Sequence, residues 1–203
     1  MSRKDHWESV YAAKDDAELS WTQSDPRVSL LLIGKVCPPG GRVIDVGGGN
    51  SALAGRLTGA GYRVTVMDLS GAALARAAAP MGPRAAAVRW VEADVTAAPP
   101  ANLGAFDVWH DRAVFHFLIE PADRAAYVAL LRRTIPAGGY AIIATFAPDG
   151  PAKCSGLDVR RYDATSLHAE LGDGFTLCET VFETHLTPWG KAQPFQYSLF
   201  RRV

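Results

Sequence analysis

The sequence predicts an α/β fold: a Rossmann-like, doubly wound sheet of seven strands, mostly parallel and closed by a C-terminal antiparallel hairpin. Three observations carry this expectation. Short apolar runs alternate with helix-forming stretches between residues 42 and 146, the pattern of βαβ units. The run from Tyr140 to Phe146 is apolar almost throughout, as a parallel strand covered on both faces requires. Beyond residue 174 two strand-like runs follow one another with no helix between them, so they pair antiparallel.

The elements follow in order. A first helix is expected over 7–14. A second opens at Asp25-Pro26 and runs to about Val36, with Val28, Leu31, Leu32 and Val36 on its apolar face. Pro38-Pro39-Gly40-Gly41 stops it and turns the chain into the first strand. Strands are predicted over 42–46, 63–68, 87–92, 106–110 and 140–146, and helices over 51–59, 71–79 and 122–135. The third of these helices ends at Pro136 and Gly138-Gly139. The C-terminal strands are placed at 175–185 and 195–201, around a turn that contains Pro188-Trp189-Gly190. With 203 residues, the chain suits one domain with a substantial core. Its expected parts are an N-terminal helical cap (1–36), a cofactor-binding core (37–146), an active-site loop (147–164), and a C-terminal helix and hairpin (165–203).

Composition narrows the partners. Apolar residues make up 48% and charged residues 21%, values of an ordinary soluble globular protein. Lys plus Arg equals Asp plus Glu at 21 each, so no basic excess advertises a nucleic-acid partner. Three widely spaced cysteines, Cys37, Cys154 and Cys178, suggest a reducing compartment rather than a disulfide framework or a zinc site. The N-terminus lacks the apolar core of a signal peptide, and no apolar run is long enough to cross a bilayer. A cytoplasmic location with no membrane partner is expected; the oligomeric state is left open.

The most informative stretch is Val43-Ile44-Asp45-Val46-Gly47-Gly48-Gly49-Asn50-Ser51, answered by Val64-Thr65-Val66-Met67-Asp68. Glycines are needed where a backbone turns tightly or closes on a ligand, and the following helix start favours a negative group. Asp68, nineteen residues after Gly49, stands near the usual place of a carboxylate that takes ribose hydroxyls. An adenosine-containing cofactor is implied. Gly47-x-Gly49-x-x-Ala52 satisfies the dinucleotide fingerprint in its Gly/Ala form. Asp45 discriminates: a carboxylate repels a pyrophosphate and attracts the ammonium of a methionine moiety.

Ligands of open α/β sheets lie beyond the carboxyl ends of the strands. After the second strand come Asp68, Leu69 and Ser70; after the third comes Glu92-Ala93-Asp94-Val95. Asp94 is placed to accept an adenine amino group while the Val95 backbone reads the ring edge. A turn-capping aspartate is the alternative for Asp94. The fourth strand leads into Trp109-His110-Asp111-Arg112-Ala113-Val114-Phe115-His116-Phe117. There His110 or Asp111 is a candidate proton acceptor, and Arg112 a partner for Asp111 or for an anionic substrate. His116 is read equally as a second base or as a structural histidine. The stretch from Ala147 to Tyr162 is long enough to act as a substrate lid, with Cys154 read as a spectator thiol. Trp21 is expected to fold over the cofactor, where an aromatic face favours a sulfonium.

These motifs resemble the class I S-adenosylmethionine-dependent methyltransferases over nearly the whole chain. Phe106-Asp-Val-Trp-His-Asp-Arg-Ala113, with Asp123-Arg124 and Tyr127, is similar to the Trp-Asp-Arg-Gly region of thiopurine and thiol S-methyltransferases. His6-Trp7-Glu8-x-x-Tyr11 and Ser20-Trp21-x-Gln23 resemble small bacterial methyltransferases and protein-lysine methyltransferases related to those of citrate synthase and elongation factor. Ser51 stands where many members carry a third glycine, and His110-Asp111-Arg112 stands where the lysine enzymes carry Asp-Lys-Gly.

The resemblance implies S-adenosyl-L-methionine as cofactor, bound by Trp21, Asp45, Gly47, Gly48, Gly49, Asn50, Ser51, Asp68, Leu69, Asp94 and Val95, with no metal. It implies methyl transfer to a small-molecule thiol, amine or hydroxyl, with His110, Asp111 and Arg112 bordering the acceptor. A protein-lysine acceptor is the alternative. From other classes, an NAD(P)-dependent oxidoreductase and a non-catalytic cofactor-binding protein are the rivals.

Overall fold

A computed structural model of the chain describes residues 2–203. Five parallel strands come first: β1 (Arg42–Val46), β2 (Arg63–Asp68), β3 (Val88–Glu92), β4 (Val108–Arg112) and β5 (Tyr140–Phe146). A small hairpin, β6 (Lys153–Cys154) and β7 (Leu157–Asp158), stands apart from them. The long strands β8 (Phe175–Leu186) and β9 (Ala192–Arg202) complete the main sheet, in the order β3-β2-β1-β4-β5-β9-β8. β9 runs antiparallel to both β5 and β8. The order reverses direction between β1 and β4, so the crevice opens there, beyond the carboxyl ends of both strands.

The period-two alternation of each strand divides its side chains between two cores. Val43, Val64, Val108 and Ile142 pack with α2 (Arg27–Val36) and α3 (Leu53–Gly59). Ile44, Met67, Trp109 and Ile143 pack on the other face, where α5 (Pro121–Thr134) and α6 (Ala164–Leu171) supply Tyr127, Leu131 and Leu167. Each such side chain, fully buried, contributes roughly 1.5–3 kcal/mol. Two further helices, α1 (Arg3–Ala13) and α4 (Gly71–Ala78), lie near the crevice and touch one another.

β1, β2 and β5 coincide with the sequence prediction; three other elements differ for physical reasons. β4 starts and ends two residues later than expected, because Phe106 is buried and donates its amide to the Thr134 carbonyl instead of joining the ladder. α1 starts at Arg3 because Ser2 caps it: the Ser2 hydroxyl accepts from the Asp5 amide, and the Asp5 carboxylate accepts from the Ser2 amide. The stretch after β5 carries structure of its own. It folds as β6–β7, buries Tyr162, and ties Arg160 to Glu170 at 3.2 Å. Among the described residues, no helix is long and apolar enough to cross a membrane, and no group of His, Cys, Asp and Glu is arranged to hold a metal ion.

Candidate active site

The glycine loop leaves β1 through two left-handed residues, Gly47 (φ +64°) and Gly49 (φ +48°). Sterics demand glycine at both. A Cβ at position 47 would lie 1.9 Å from Val114 Cγ2, and one at position 49 would lie 2.5 Å from the Tyr11 hydroxyl. The Gly47 amide donates to the Met67 carbonyl, and the Gly49 amide donates to Asp68 Oδ2 at 2.9 Å. Asp68 Oδ1 accepts from the Ser70 amide. Burial pushes the Asp68 carboxyl up to about 6, against the opposing pull of these amides. Ser51 Oγ accepts from the Leu53 amide, so the short α3 does not present that N–H to a ligand. Asn50 Nδ2 donates to Asp16.

Asp45 and His110 are register partners on β1 and β4. His110 Nδ1 and Asp45 Oδ1 share a hydrogen bond of 2.7 Å, and His110 Nε2 lies 2.9 Å from Ser29 Oγ. Both side chains are buried. The other oxygen, Asp45 Oδ2, is buried without a hydrogen-bond partner among the described residues. Asp45 lines the smaller of two adjoining cavities at the strand ends, together with Gln23, Gly47, Gly49, Ser51, His110 and Arg112.

The larger cavity continues from this one. Asp68, Leu69, Asp94 and Val95 line one end; Arg112, Val114, Phe117 and Cys154 line the other. Asp94 Oδ1 accepts from the amide and hydroxyl of Thr96, the turn-capping alternative, while the side chain still faces the cavity. The roof is Arg3, Trp7, Tyr11 and Trp21. Trp7 meets Trp21 at 5.6 Å and Phe117 at 5.1 Å between ring centroids. Polar ties hold α1 down. Glu8 accepts from the Gly71 amide at the start of α4, Arg3 pairs with Asp123 at 3.3 Å, Lys4 pairs with Glu92, and Arg76 donates to the Tyr11 and Lys14 carbonyls.

The residues expected to border the acceptor separate. Because β4 extends to Arg112, His110 lies within the strand with both ring nitrogens engaged, and it lines only the smaller cavity. Asp111 points to the opposite sheet face and is fully buried. Its oxygens accept from the Val114 amide (2.8 Å), the Phe115 amide (3.1 Å) and the Tyr127 hydroxyl (2.6 Å). They thereby fix a turn in which Ala113 takes a left-handed φ of +74°. Neither residue lines the larger cavity. Arg112 alone of the three lines both cavities. Its Nε donates to the Tyr197 hydroxyl and its Nη1 to the Trp21 carbonyl, both at 3.1 Å; the guanidinium lies 4.4 Å from the Phe195 ring centre. Nη2 is buried and has no partner among the described residues. His116 is buried away from both cavities, and burial pushes its pKa down to about 3. The roof residues Arg3, Trp7 and Tyr11 were not among the sequence candidates, although Trp7 and Tyr11 are spaced one helical turn apart, as neighbours on one face are.

Residues 43–139 match the family model described as a methyltransferase domain. The fold is that of the class I methyltransferases. Three solved structures illustrate the likeness. One, from work on the conversion of a disulfide bond into a thioacetal group during echinomycin biosynthesis, is 21% identical over 98% of this chain and 92% of its own, with a TM-score of 0.79. The N-methyltransferase NodS from Bradyrhizobium japonicum, in complex with S-adenosyl-L-homocysteine, is 17% identical over 99% of both chains, with a TM-score of 0.73. The 1,6-didemethyltoxoflavin-N1-methyltransferase of Burkholderia thailandensis is 20% identical over 98% of this chain and 84% of its own, with a TM-score of 0.68. No curated protein matches the chain. The part matched to the methyltransferase domain holds Asp45, the glycine loop, Asp68, Asp94 and the His110–Arg112 segment; the roof and the hairpin that holds Arg112 lie outside it.

Proposed function

We propose that this chain is an S-adenosylmethionine-dependent methyltransferase acting on a small-molecule nucleophile. The observation that carries the reading is Asp45 Oδ2, a buried carboxylate oxygen without a partner, beside a glycine loop that no side chain could occupy. An unpaired buried acceptor of this kind is costly unless a ligand donor completes it, and the donor's ammonium fits. A pyrophosphate in the same place would be repelled. The second strand end supplies Asp68 for the ribose hydroxyls; Leu69, Asp94 and Val95 offer a slot for the adenine. Gly48, Asn50 and Ser51 line the methionine side, and Trp21 closes over the sulfur.

S-adenosylmethionine supplies a methyl carbon already activated by its sulfonium. The protein's share is alignment and exclusion of water, and the aromatic roof serves both. His110 braces Asp45 rather than acting on the acceptor, and Asp111 holds the turn that carries Val114 into the cavity wall. The 1,6-didemethyltoxoflavin bound by one similar structure, and a cavity roofed by α1, support a small acceptor over a protein side chain. Calorimetric titration with S-adenosylmethionine, S-adenosylhomocysteine and NADH tests the proposal. Binding of the first two is expected, with Asp68→Ala weakening it about five-fold or more, the worth of about 1 kcal/mol of lost hydrogen bonding. Binding of NADH without either sulfur compound overturns it.

A further inference from the structure

The end of the larger cavity away from Asp68 has an unusual chemistry for a site of group transfer. Its wall is aromatic and aliphatic (Trp7, Trp21, Val114, Phe117), interrupted by Cys154 and by one cation, Arg112. That cation is fixed rather than mobile. Tyr197 and the Trp21 carbonyl hold two of its nitrogens, Phe195 supports its face, and Glu183 accepts from the Tyr197 hydroxyl at 3.0 Å. The remaining nitrogen, Nη2, is buried with no acceptor. A guanidinium N–H left dry and unpaired is costly, and an anion brought to it gains a charge-assisted hydrogen bond.

The same end of the cavity has no base. No ionisable group near Arg112 offers a free base to this end of the cavity among the described residues. His110 is held between Asp45 and Ser29, and Asp111 lies beneath the sheet with three donors on its oxygens. His116 keeps a buried Nε2 without a partner, but its ring is enclosed against Phe117 and Phe146 and does not line the cavity; His185 Nε2 bonds the Ser20 carbonyl. Glu183 takes hydrogen bonds from Gln23 and Tyr197. Burial pushes the Cys154 thiol up to about 11 and Tyr197 up to about 12. An ammonium acceptor would meet an unrelieved cation and find nothing to take its proton. An alcohol would need a base strong enough to ionise it.

We propose that the acceptor is a small, largely apolar molecule that reacts as an anion formed before it binds, an acidic thiol in its thiolate form, with its charge against Arg112 Nη2. The proposal rests on the methyltransferase reading above. A lone pair of the thiolate sulfur forms the new bond to the methyl carbon. The bond from that carbon to the donor sulfur breaks, and its electron pair stays on S-adenosylhomocysteine. No proton leaves the acceptor in the step, so the protein needs none of the bases it lacks. Thiols suit such a site because their ordinary pKa of about 8.5 gives an appreciable thiolate fraction near neutrality.

The test compares methyl transfer from S-adenosylmethionine to a series of aryl and alkyl thiols of differing acidity with transfer to aryl amines and alcohols of similar shape. Donor affinity is measured separately by calorimetry. Thiols are expected to be turned over, with a pH profile of kcat/KM whose rise moves with the thiol chosen. Arg112→Gln is expected to raise the KM for thiols about ten-fold or more, well beyond any change in the Kd of S-adenosylhomocysteine that follows from releasing the Trp21 carbonyl. Preference for amines or alcohols, donor binding without turnover of any thiol, or an Arg112→Gln protein whose KM for thiols rises no more than its donor Kd each overturns the acceptor class and leaves the methyltransferase reading intact. Failure of the donor to bind the wild-type protein overturns that reading instead. If Arg112→Gln does not fold, the wild-type thiol series decides: a rise in the pH profile fixed at one value for every thiol refutes the proposal.

Discussion

Replacing Asp111 separates two roles for the strand-four cluster that the sequence alone leaves equal. In the structure its fully buried carboxylate accepts from two backbone amides and a tyrosine hydroxyl. Asp111→Ala strands three donors, each costing about 1–3 kcal/mol when buried and left unpaired. The Val114 amide is only half-buried, so the sum falls at the lower end, roughly 3–6 kcal/mol. That is a large part of the total stability of about 5–15 kcal/mol expected for a native protein. In a chain of this length each kcal/mol moves Tm by about 2–4 °C, so Tm should fall by roughly 10 °C. Urea unfolding followed by tryptophan fluorescence measures the loss.

The carboxyl also titrates. Burial raises it to about 6 in the fold, against an unfolded value near 3.8. Between these values the folded state binds the proton more tightly, so wild-type stability declines as pH rises from about 4 to about 6 and levels off above. The variant should lose its share of that slope and keep the share that Asp68 supplies. A variant within about 1 kcal/mol of wild type would refute the structural assignment. So would an Asp111→Asn protein with unchanged unfolding and a collapsed rate, which is the behaviour of a catalytic base.

Two further perturbations bear on the donor cradle. Gly47→Ala must hold a left-handed backbone and displace Val114, so stability is expected to fall by about 1–3 kcal/mol and donor affinity at least ten-fold, checked by unfolding and calorimetry. Asp68 must be ionised to accept from the ribose hydroxyls on both oxygens. Its carboxyl gains a proton as pH falls through about 6, so the wild-type Kd for S-adenosylhomocysteine should rise roughly ten-fold between pH 7.5 and pH 5. An equal rise in Asp68→Asn would assign the effect to another group.

The parallel core was legible because glycine and proline punctuate it: Gly40-Gly41, Gly61 and Gly138-Gly139 each stand just before a strand. The glycine loop and Asp68 were legible for a related reason, since backbone geometry leaves no substitute there. The fourth strand was harder. Phe106 has the residue type of a strand opener, but its tertiary contact with Thr134 wins over local propensity. That two-residue displacement is why His110 was expected at the strand end and Arg112 in the loop. β8 was legible to within one residue, whereas the first three residues of β9, Ala192-Gln193-Pro194, were hidden because a proline there reads as part of the turn. The commitment of Asp111 to a turn leaves no sequence mark at all. An aspartate at a strand end looks the same whether it faces a ligand or its own backbone.

The position of β9 has a consequence for how the chain reaches this state. It follows β8 in the chain, yet it lies between β5 and β8 and supplies Phe195 and Tyr197, which hold Arg112 in place. Until it inserts, β8 has no neighbour in the sheet and β5 has one open side. Loop closure over such long sequence separations slows folding and keeps those edges exposed to other chains. The donor cradle is assembled from strands that precede β8, whereas the acceptor end matures only once β9 is in place. Folding intermediates would therefore acquire the two halves of the site at different times.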